Sequence, residues 1–372
     1  MKPIRIDYCI SLIDKSLGFE WLAKYLDRAQ FDANFILYQQ GESQLSEYLR
    51  KAGYSVTIIP YRTKQDLPAA FFKTFFLWLK KRPQIVHCHL FEASVIGILA
   101  SWVLQIPKRI YTRHHGTLHH QYYPHAVRYD KIINSLSTKI VAISASVQEI
   151  LTDREHVPAH KVVIVPHGFE LETFSQIDTS KIQYLREKYQ LTAQNPIIGV
   201  ISRFTHWKGI QYIIPAFSKL LLDFPNAKLV LANAQGDYEA EITQLLAALP
   251  AQSYVCIPFE PEVGSLYHCF DVFVHTPIDP YCEAFGQVYI EAMLAKIPMV
   301  VTLSGIALNL LNHQEHAWVV PYQDTTAVYE GIKAILEQPD LRNKLVENSY
   351  TLAIQQFKVQ TMLERLEKLY LS

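Results

Sequence analysis

Two glutamates, Glu283 and Glu291, stand with seven residues between them in the stretch PIDPYCEAFGQVYIEAMLAKIPMVVT, residues 277–302. A carboxylate accepts hydrogen bonds and does not donate them, so the pair suits a ligand rich in hydroxyls. Glu283 reads as a loop residue just before a helix, and Glu291 as a residue inside that helix. Eight helical steps cover roughly 12 Å, a span that fits a ligand with a sugar at each end and a diphosphate between. The amides of Ala284, Phe285 and Gly286 fall at or near the helix N-terminus, where unpaired N–H groups and the helix dipole favour a phosphate. Gly286 lets the backbone approach closely. Taken alone, such a pair is common: Glu283 then reads as a helix N-terminal acid and Glu291 as a solvated one. The apolar setting VYIEAMLA weighs the other way, because a buried carboxylate needs a donor, and a ribose is one.

A second set of candidates lies in IIGVISRFTHWKGI, residues 197–210. A strand ends near Ser202, and Arg203 and Lys208 follow in the loop before the next helix. Two cations five residues apart at a strand's carboxyl end can both reach one diphosphate; singly, each is an ordinary surface cation. Histidines pair at His87 and His89, His114 and His115, and His119 and His120. Such spacing could bind zinc, but the sequence fixes no cysteine or carboxylate partner. A core or cleft role is expected, and neither a metal nor a cofactor is assigned.

The elements that must position these groups follow one pattern. Short β-rich runs alternate with helical runs, which predicts α/β units with parallel sheets covered on both faces. In the first half, strands are read at Ile4 to Ile10, Asn34 to Tyr38, Ser55 to Ile59, Gln84 to His87, Arg109 to Thr112, Lys139 to Ile143 and Val162 to Val165. Helical spacing is read at Phe19 to Ala29, Ala69 to Lys80, Glu92 to Leu104 and Ser146 to Thr152. From Pro196 a second series begins. Its strands are Ile197 to Ile201, Lys228 to Ala232, Tyr254 to Ile257, Val272 to His275, Met299 to Thr302 and Ala317 to Val319. The polar stretch Glu170 to Asn195 between the two series reads as a linker. The expected domains are residues 1–175 and 190–355, with a last helix in 356–372 packing back toward the first domain. Two doubly wound domains facing one another place a ligand cleft at the carboxyl ends of the strands.

Composition agrees. The chain has 372 residues, 49% hydrophobic and 19% charged, enough for two cores and too apolar for a long disordered segment. Lys plus Arg and Asp plus Glu are both 35, a balance that argues against nucleic acid as a partner. Five cysteines with no CxxC pair fit a reducing cytoplasm. The first strand carries Arg5 and Asp7 and does not read as a signal peptide, and no run is long and apolar enough for a transmembrane helix. The chain has no GxxxxGK[ST], no GxGxxG after a strand, no HExxH and no GxSxG, so the usual support for P-loop ATPases, nicotinamide dehydrogenases, zinc proteases and serine hydrolases is missing.

The two chemistry-bearing segments together resemble the GT-B glycosyltransferases of family four, the retaining nucleotide-sugar transferases. The resemblance runs over nearly the whole chain. It is carried by SRFTHWKG, DVFVHTPIDPYCEAFGQVYIEAMLAKIPMVVT and VVPYQDTTAVYEGIKAIL, and more weakly by PQIVHCH, RIYTRHHG, VAISASV and VIVPHGFELETF. It implies the GT-B fold, with two Rossmann-like domains facing a central cleft. It implies that Arg203 and Lys208 hold the donor diphosphate and stabilise the leaving group, that Glu283 binds hydroxyls of the transferred sugar, and that Glu291 binds the ribose. Ala284, Phe285 and Gly286 lie on the donor side, where Phe285 and Gly286 would offer backbone amides. His114, with His115 as the alternative register, matches the family histidine near the reactive side of the sugar. Gly18 stands in the first strand-to-helix loop, where the family has two consecutive glycines against the phosphates. Here Phe19 follows it, so that contact is reduced. After Thr302 the run SGIALNLL replaces the usual two glycines and glutamate, with Ile306 and Asn309 at the later places, and LANAQGD, with Asn233 and Gly236, replaces a Gly-x-Gly.

The expected activity is a metal-independent, retaining transfer from a UDP- or GDP-sugar to a glycan or lipid-linked acceptor in cell-surface polysaccharide synthesis. The absence of an Asp-x-Asp motif fits metal independence. The alternatives are a nucleotide-sugar epimerase or hydrolase of the same fold, or a catalytically silent nucleotide-sugar-binding partner. The stretch Leu67 to Arg82, LPAAFFKTFFLWLKKR, joins five large aromatics to three lysines and an arginine. It reads either as a helix packed on the first sheet or as a surface that lies on the inner face of a membrane.

Overall fold

The computed structural model describes residues 2–193 and 195–372; Met1 and Gln194, the latter within the expected linker, lie outside the described residues. Strands covered on both faces need apolar side chains pointing both ways, so they appear as unbroken apolar runs and not as alternating ones. IIGVI is such a run, as are KLVLA after its first residue and VFVH before its last, and every residue of the three strands is buried.

The first sheet contains β1 (Ile4–Ser11), β2 (Phe31–Tyr38), β3 (Ser55–Ile59), β4 (Ile85–His89), β5 (Lys108–Arg113), β6 (Lys139–Ala142) and β7 (Val162–Ile164), in the spatial order β3-β2-β1-β4-β5-β6-β7. The second contains β8 (Ile197–Ile201), β9 (Lys228–Ala232), β10 (Tyr254–Ile257), β11 (Val272–His275), β12 (Met299–Val301) and β13 (Trp318–Val319), in the order β10-β9-β8-β11-β12-β13. All pairings within both sheets are parallel. These are two α/β, Rossmann-like units. In each, the order reverses once, between β1 and β4 and between β8 and β11. Connections leaving a switch point diverge and leave a crevice at the carboxyl ends of the two strands.

The chain divides into one unit of residues 1–169 with 358–372 and a second of residues 170–357. The C-terminal helix Val359–Leu371 groups with the first unit. It packs on the helix Leu17–Tyr25 and buries Tyr370, whose hydroxyl meets that of Tyr8 at 3.0 Å. The stretch read as a linker is instead structured. It forms the helices Glu172–Ser175 and Thr179–Lys188, the second capped by Asp178, whose carboxylate accepts from the amides of Ser180 and Lys181. Both helices pack on Val263–Tyr267, and Phe174 and Leu185 are buried. A few anchoring apolar residues in a polar sequence were enough to order it.

Further helices absent from the sequence reading are Gln44–Lys51, Leu118–Tyr122 and Ala126–Leu136. The first sheet carries Leu67–Lys81, Phe91–Val103 and Ala126–Leu136, each in contact with the next. Leu67–Lys81 buries Ala70, Thr74 and Trp78 and leaves Phe72, Phe76 and Leu79 exposed, so it has a packed face and an open one.

Candidate functional site

The second unit's switch point brings the central candidates together. After β8 the chain makes a short 3-10 turn, His206–Lys208, and enters the helix Ile210–Asp223 through Gly209. Gly209 has φ +74°, and a Cβ there would lie 1.8 Å from the Thr276 carbonyl oxygen. Only glycine lets this turn press against the end of β11. The amide of Ile278 donates to the Trp207 carbonyl at 3.1 Å and fixes the two loops to each other.

Lys208 thereby reaches Glu283, with Nζ 2.5 Å from Oε1. His275, the last residue of β11, holds the same oxygen from Nε2 at 3.0 Å. The Glu283 amide donates to Ser304 Oγ at 3.0 Å. Burial pushes the Glu283 carboxyl up, but the Lys208 charge and the His275 hydrogen bond outweigh it and hold the group well below the usual carboxylate range. Glu283 is therefore a fixed anion, acceptor-only, paired with one cation. Burial keeps His275 below its ordinary value, against the pull of Glu283, so it serves the carboxylate as a neutral donor. Arg203 follows β8 with an exposed side chain that has no hydrogen-bond or ion-pair partner among the described residues.

The helix that carries Glu291 runs from Gln287 to Leu294, with Gly286 as its N-cap. Ala284 and Phe285 precede it, and Phe285 is buried. The helical ruler of roughly 12 Å therefore does not apply between the glutamates, because only Gln287 onward is helical. Glu291 also has a donor within the fold: the Tyr267 hydroxyl donates a hydrogen bond to Oε2 at 2.8 Å. Burial raises the Glu291 carboxyl to about 7, against the lowering effect of that hydrogen bond, although part of the residue's surface remains accessible. The two glutamates are thus unlike: one is held ionised, the other is poised near neutrality.

Four residues of this site escaped the sequence reading: His275, Gly209, Ser304 and Gly305. Gly305 has φ +60°, and its Cβ position lies 2.8 Å from the Phe285 carbonyl oxygen and 2.9 Å from Glu283 Cβ. The run SGIALNLL, a departure from the family pattern, thus supports the Glu283 loop through Ser304 and Gly305. Gly209 stood in the quoted motif but next to a more conspicuous lysine.

The first unit's switch point holds a cavity of about 330 Å³, lined among others by Ser11, Leu12, Phe91, His114, His115 and Leu118. His114 follows β5. Its Nε2 lies 3.1 Å from His89 Nδ1, and its ring stacks on His167 with centroids 5.6 Å apart. Burial, with the neighbouring imidazoles, holds His114 well below the ordinary histidine value, so it is neutral. Gly18 does not line this cavity; it lies in the first turn of the helix Leu17–Tyr25 and not in the loop before it.

In the wall of the cavity, Arg113 is almost fully buried. It contacts Asp130 at 3.2 Å and Glu155 at 2.5 Å, and its Nε donates to the His115 carbonyl at 3.2 Å. His119 Nδ1 lies 2.7 Å from Asp130 Oδ2, and His120 Nε2 lies 3.0 Å from Glu155 Oε1. His115, His119 and Asp130 have metal-ligand chemistry and lie close together. The guanidinium already opposes the Asp130 charge, so the cluster reads as an ion-paired brace for the loop of His114 and His115.

Comparisons with known proteins agree with this architecture. A Glycosyltransferase Family 4 model matches residues 21–173, and a model described as Glycosyl transferases group 1 matches residues 181–352. The chain is 27% identical over 307 residues to the capsular polysaccharide biosynthesis glycosyltransferase CapM of Staphylococcus aureus, covering 80% of this chain and 79% of that protein. It is 23% identical over 250 residues to the alpha-monoglucosyldiacylglycerol synthase of Acholeplasma laidlawii, covering 61% of this chain and 60% of that one. Among solved structures, that of Anabaena HepE in complex with UDP-glucose matches with a TM-score of 0.85 at 21% identity, over 99% of this chain and 100% of that chain. At that identity the likeness speaks for the fold.

Proposed function

Because the chain belongs to the group 1 glycosyltransferases of family four and has their GT-B fold, we propose that it moves a sugar from a nucleotide-sugar donor, with retention and without a metal. The acceptor is a glycan or lipid-linked glycan of cell-surface polysaccharide synthesis. The observation that carries this reading is the Lys208–Glu283 pair at the β8/β11 switch point, with Arg203 beside it on the same loop. HepE, solved with UDP-glucose, and CapM, named for capsular polysaccharide, favour the same class of donor and product.

The chemistry follows from the charges. As the bond between the anomeric carbon and the phosphate oxygen breaks, its electron pair stays on the departing diphosphate. Arg203 and Lys208 oppose that charge where a metal would otherwise be needed. Glu283, held ionised, accepts hydroxyls of the transferred sugar, and Glu291 accepts those of the ribose. The acceptor oxygen attacks from the face the diphosphate leaves, and its proton passes to the leaving phosphate, which gives retention without a covalent intermediate. From the first unit, His114 is the candidate for contact with substrate. A thermal-shift screen against UDP, GDP, ADP and their sugars tests the donor, since stabilisation follows occupancy. No shift with any of them would remove the reading.

We also propose cytoplasmic action at a membrane surface. No helix among the described residues is long and apolar enough to cross a membrane. The three helices on one face of the first sheet expose Phe72, Phe76, Leu79, Leu99, Trp102 and Ile132. Exposed Lys73, Lys80, Arg128 and Lys131 stand among them, while the acids on these helices, Glu92 and Asp130, are half-buried and buried. Apolar side chains ringed by cations suit an anionic lipid surface. Sedimentation with phosphatidylglycerol vesicles should carry the protein down, and Phe76→Asp with Trp102→Asp should release it. Equal binding of the double variant would count against this face.

A further inference from the structure

The segment His87-Cys88-His89 ends β4, and alternation along a strand sets both histidines on one face of the sheet. Their rings lie 4.3 Å apart, centroid to centroid. They are not equivalent. His87 has both ring nitrogens occupied, Nδ1 by the Tyr370 hydroxyl at 2.6 Å and Nε2 by Thr112 Oγ1 at 2.8 Å. It belongs to the structural network that fastens the C-terminal helix. His89 is 5% exposed and has one polar contact, Nδ1 to His114 Nε2 at 3.1 Å; its Nε2 is buried with no partner among the described residues. Phe19 closes on the His89 ring edge-on, centroids 4.9 Å apart, and fixes its plane.

Two neutral imidazoles within hydrogen-bond distance share one proton between the facing nitrogens. If His114 donated, His89 would carry its own proton on Nε2, a buried N–H with no acceptor. Orphaned buried donors are the rarer and costlier defect; a bare buried acceptor is tolerated more often. We infer that His89 is a positioning residue for His114: its Nδ1–H donates to His114 Nε2, which fixes His114 as the tautomer with its own proton on Nδ1. That second nitrogen has no partner among the described residues, and the residue lines the first unit's cavity. His114 thus offers substrate a hydrogen-bond donor and not a basic lone pair. It steadies an oxygen and does not remove a proton. Burial supports this, since it holds both His89 and His114 well below the ordinary histidine value, and neither charges near pH 7.

The inferred tautomer stands on geometry; its catalytic meaning rests on the proposed contact of His114 with substrate. The test separates the two. Protein labelled with 15N at histidine is examined by long-range proton–nitrogen correlation. The chain has 15 histidines, so His114 is assigned by the signals lost in His114→Gln. Wild type should show His114 protonated on Nδ1 and bare on Nε2, unchanged between pH 6 and 8. His89→Leu should lose this single pattern, and His89→Asn, whose amide can donate, should restore it. Turnover should fall about tenfold in His89→Leu, the worth of one neutral hydrogen bond, and recover in His89→Asn. A His114 found protonated on Nε2 in wild type overturns the inference, whether or not any variant folds. So does a folded His89→Leu that keeps the wild-type pattern. Failure of the transferase reading would appear only in the turnover arm.

Discussion

Glu291 gives the sharpest quantitative expectation. Its carboxyl is raised to about 7, chiefly by burial. The ordinary value is 4.5, so the native state holds this proton more tightly than the unfolded chain. The sign follows: its contribution to stability is fully present below about pH 4.5 and is lost as pH rises toward 7, by about 3 kcal/mol in all. A ribose changes the balance, because two hydroxyls need an acceptor and the ionised carboxylate is the better one. Binding should therefore release a proton. The ionised fraction is roughly one tenth at pH 6 and roughly nine tenths at pH 8, so donor affinity should rise about tenfold over that interval. The assay is calorimetric titration with an intact nucleotide sugar. Its phosphates stay ionised throughout, unlike a terminal phosphate that titrates near pH 6. Two buffers of different ionisation heat would count the proton released. Glu291→Gln keeps an acceptor for Tyr267 but cannot titrate, and should bind with little pH dependence. A wild-type affinity flat from pH 6 to 8, or the same slope in Glu291→Gln, would refute the reasoning.

Other consequences follow from the same geometry. Glu283→Gln should cut turnover by at least about a hundredfold if the anion orients the sugar, and should lower stability by only about 1–3 kcal/mol, because Lys208 keeps some access to solvent; near-wild-type transfer by the purified variant would remove Glu283 from the mechanism. Gly209→Ala should cost at least about 2 kcal/mol in chemical denaturation, since the new Cβ meets the Thr276 carbonyl at 1.8 Å. Gly18→Ala, whose nearest neighbour would be Ser16 Oγ at 3.9 Å, should leave the fold intact or slightly stabilised; unchanged kinetics in it would take Gly18 out of the donor site. Glu155→Ala leaves the buried Arg113 with Asp130 alone and should cost about 3–5 kcal/mol by urea unfolding; a loss under about 1 kcal/mol would mean the brace is not coupled to folding.

The sheets were legible because a parallel strand is apolar on both faces, and a run such as IIGVI says so locally. Less legible were Gln44–Lys51 and Ala126–Leu136, which keep a buried face but are short, 8 and 11 residues, and mostly polar, so that packing of a few side chains supplies what the sequence alone does not announce. The chemistry-bearing types were visible for a similar reason: Arg203, Lys208 and Glu283 are charges beside apolar strands. What the sequence could not display was their supports. His275 and Ser304 matter because β11 and the loop after β12 approach Glu283 in space, and Gly209 and Gly305 because two backbones nearly touch. The helical ruler between the glutamates failed because it counted the loop from Glu283 to Gly286 as helical steps, and the helix begins only at Gln287.

The central claim is that Lys208, Arg203 and Glu283 at the β8/β11 switch point receive a nucleotide-sugar donor. The most direct measurement is a crystal structure of the protein with the nucleotide sugar that stabilises it most. The account predicts the diphosphate within hydrogen-bond distance of Lys208 Nζ and the Arg203 guanidinium, a hydroxyl of the transferred sugar on Glu283, and the ribose on Glu291. A donor bound with its diphosphate away from Lys208, or with Glu283 still closed on Lys208 and touching no sugar, would contradict it.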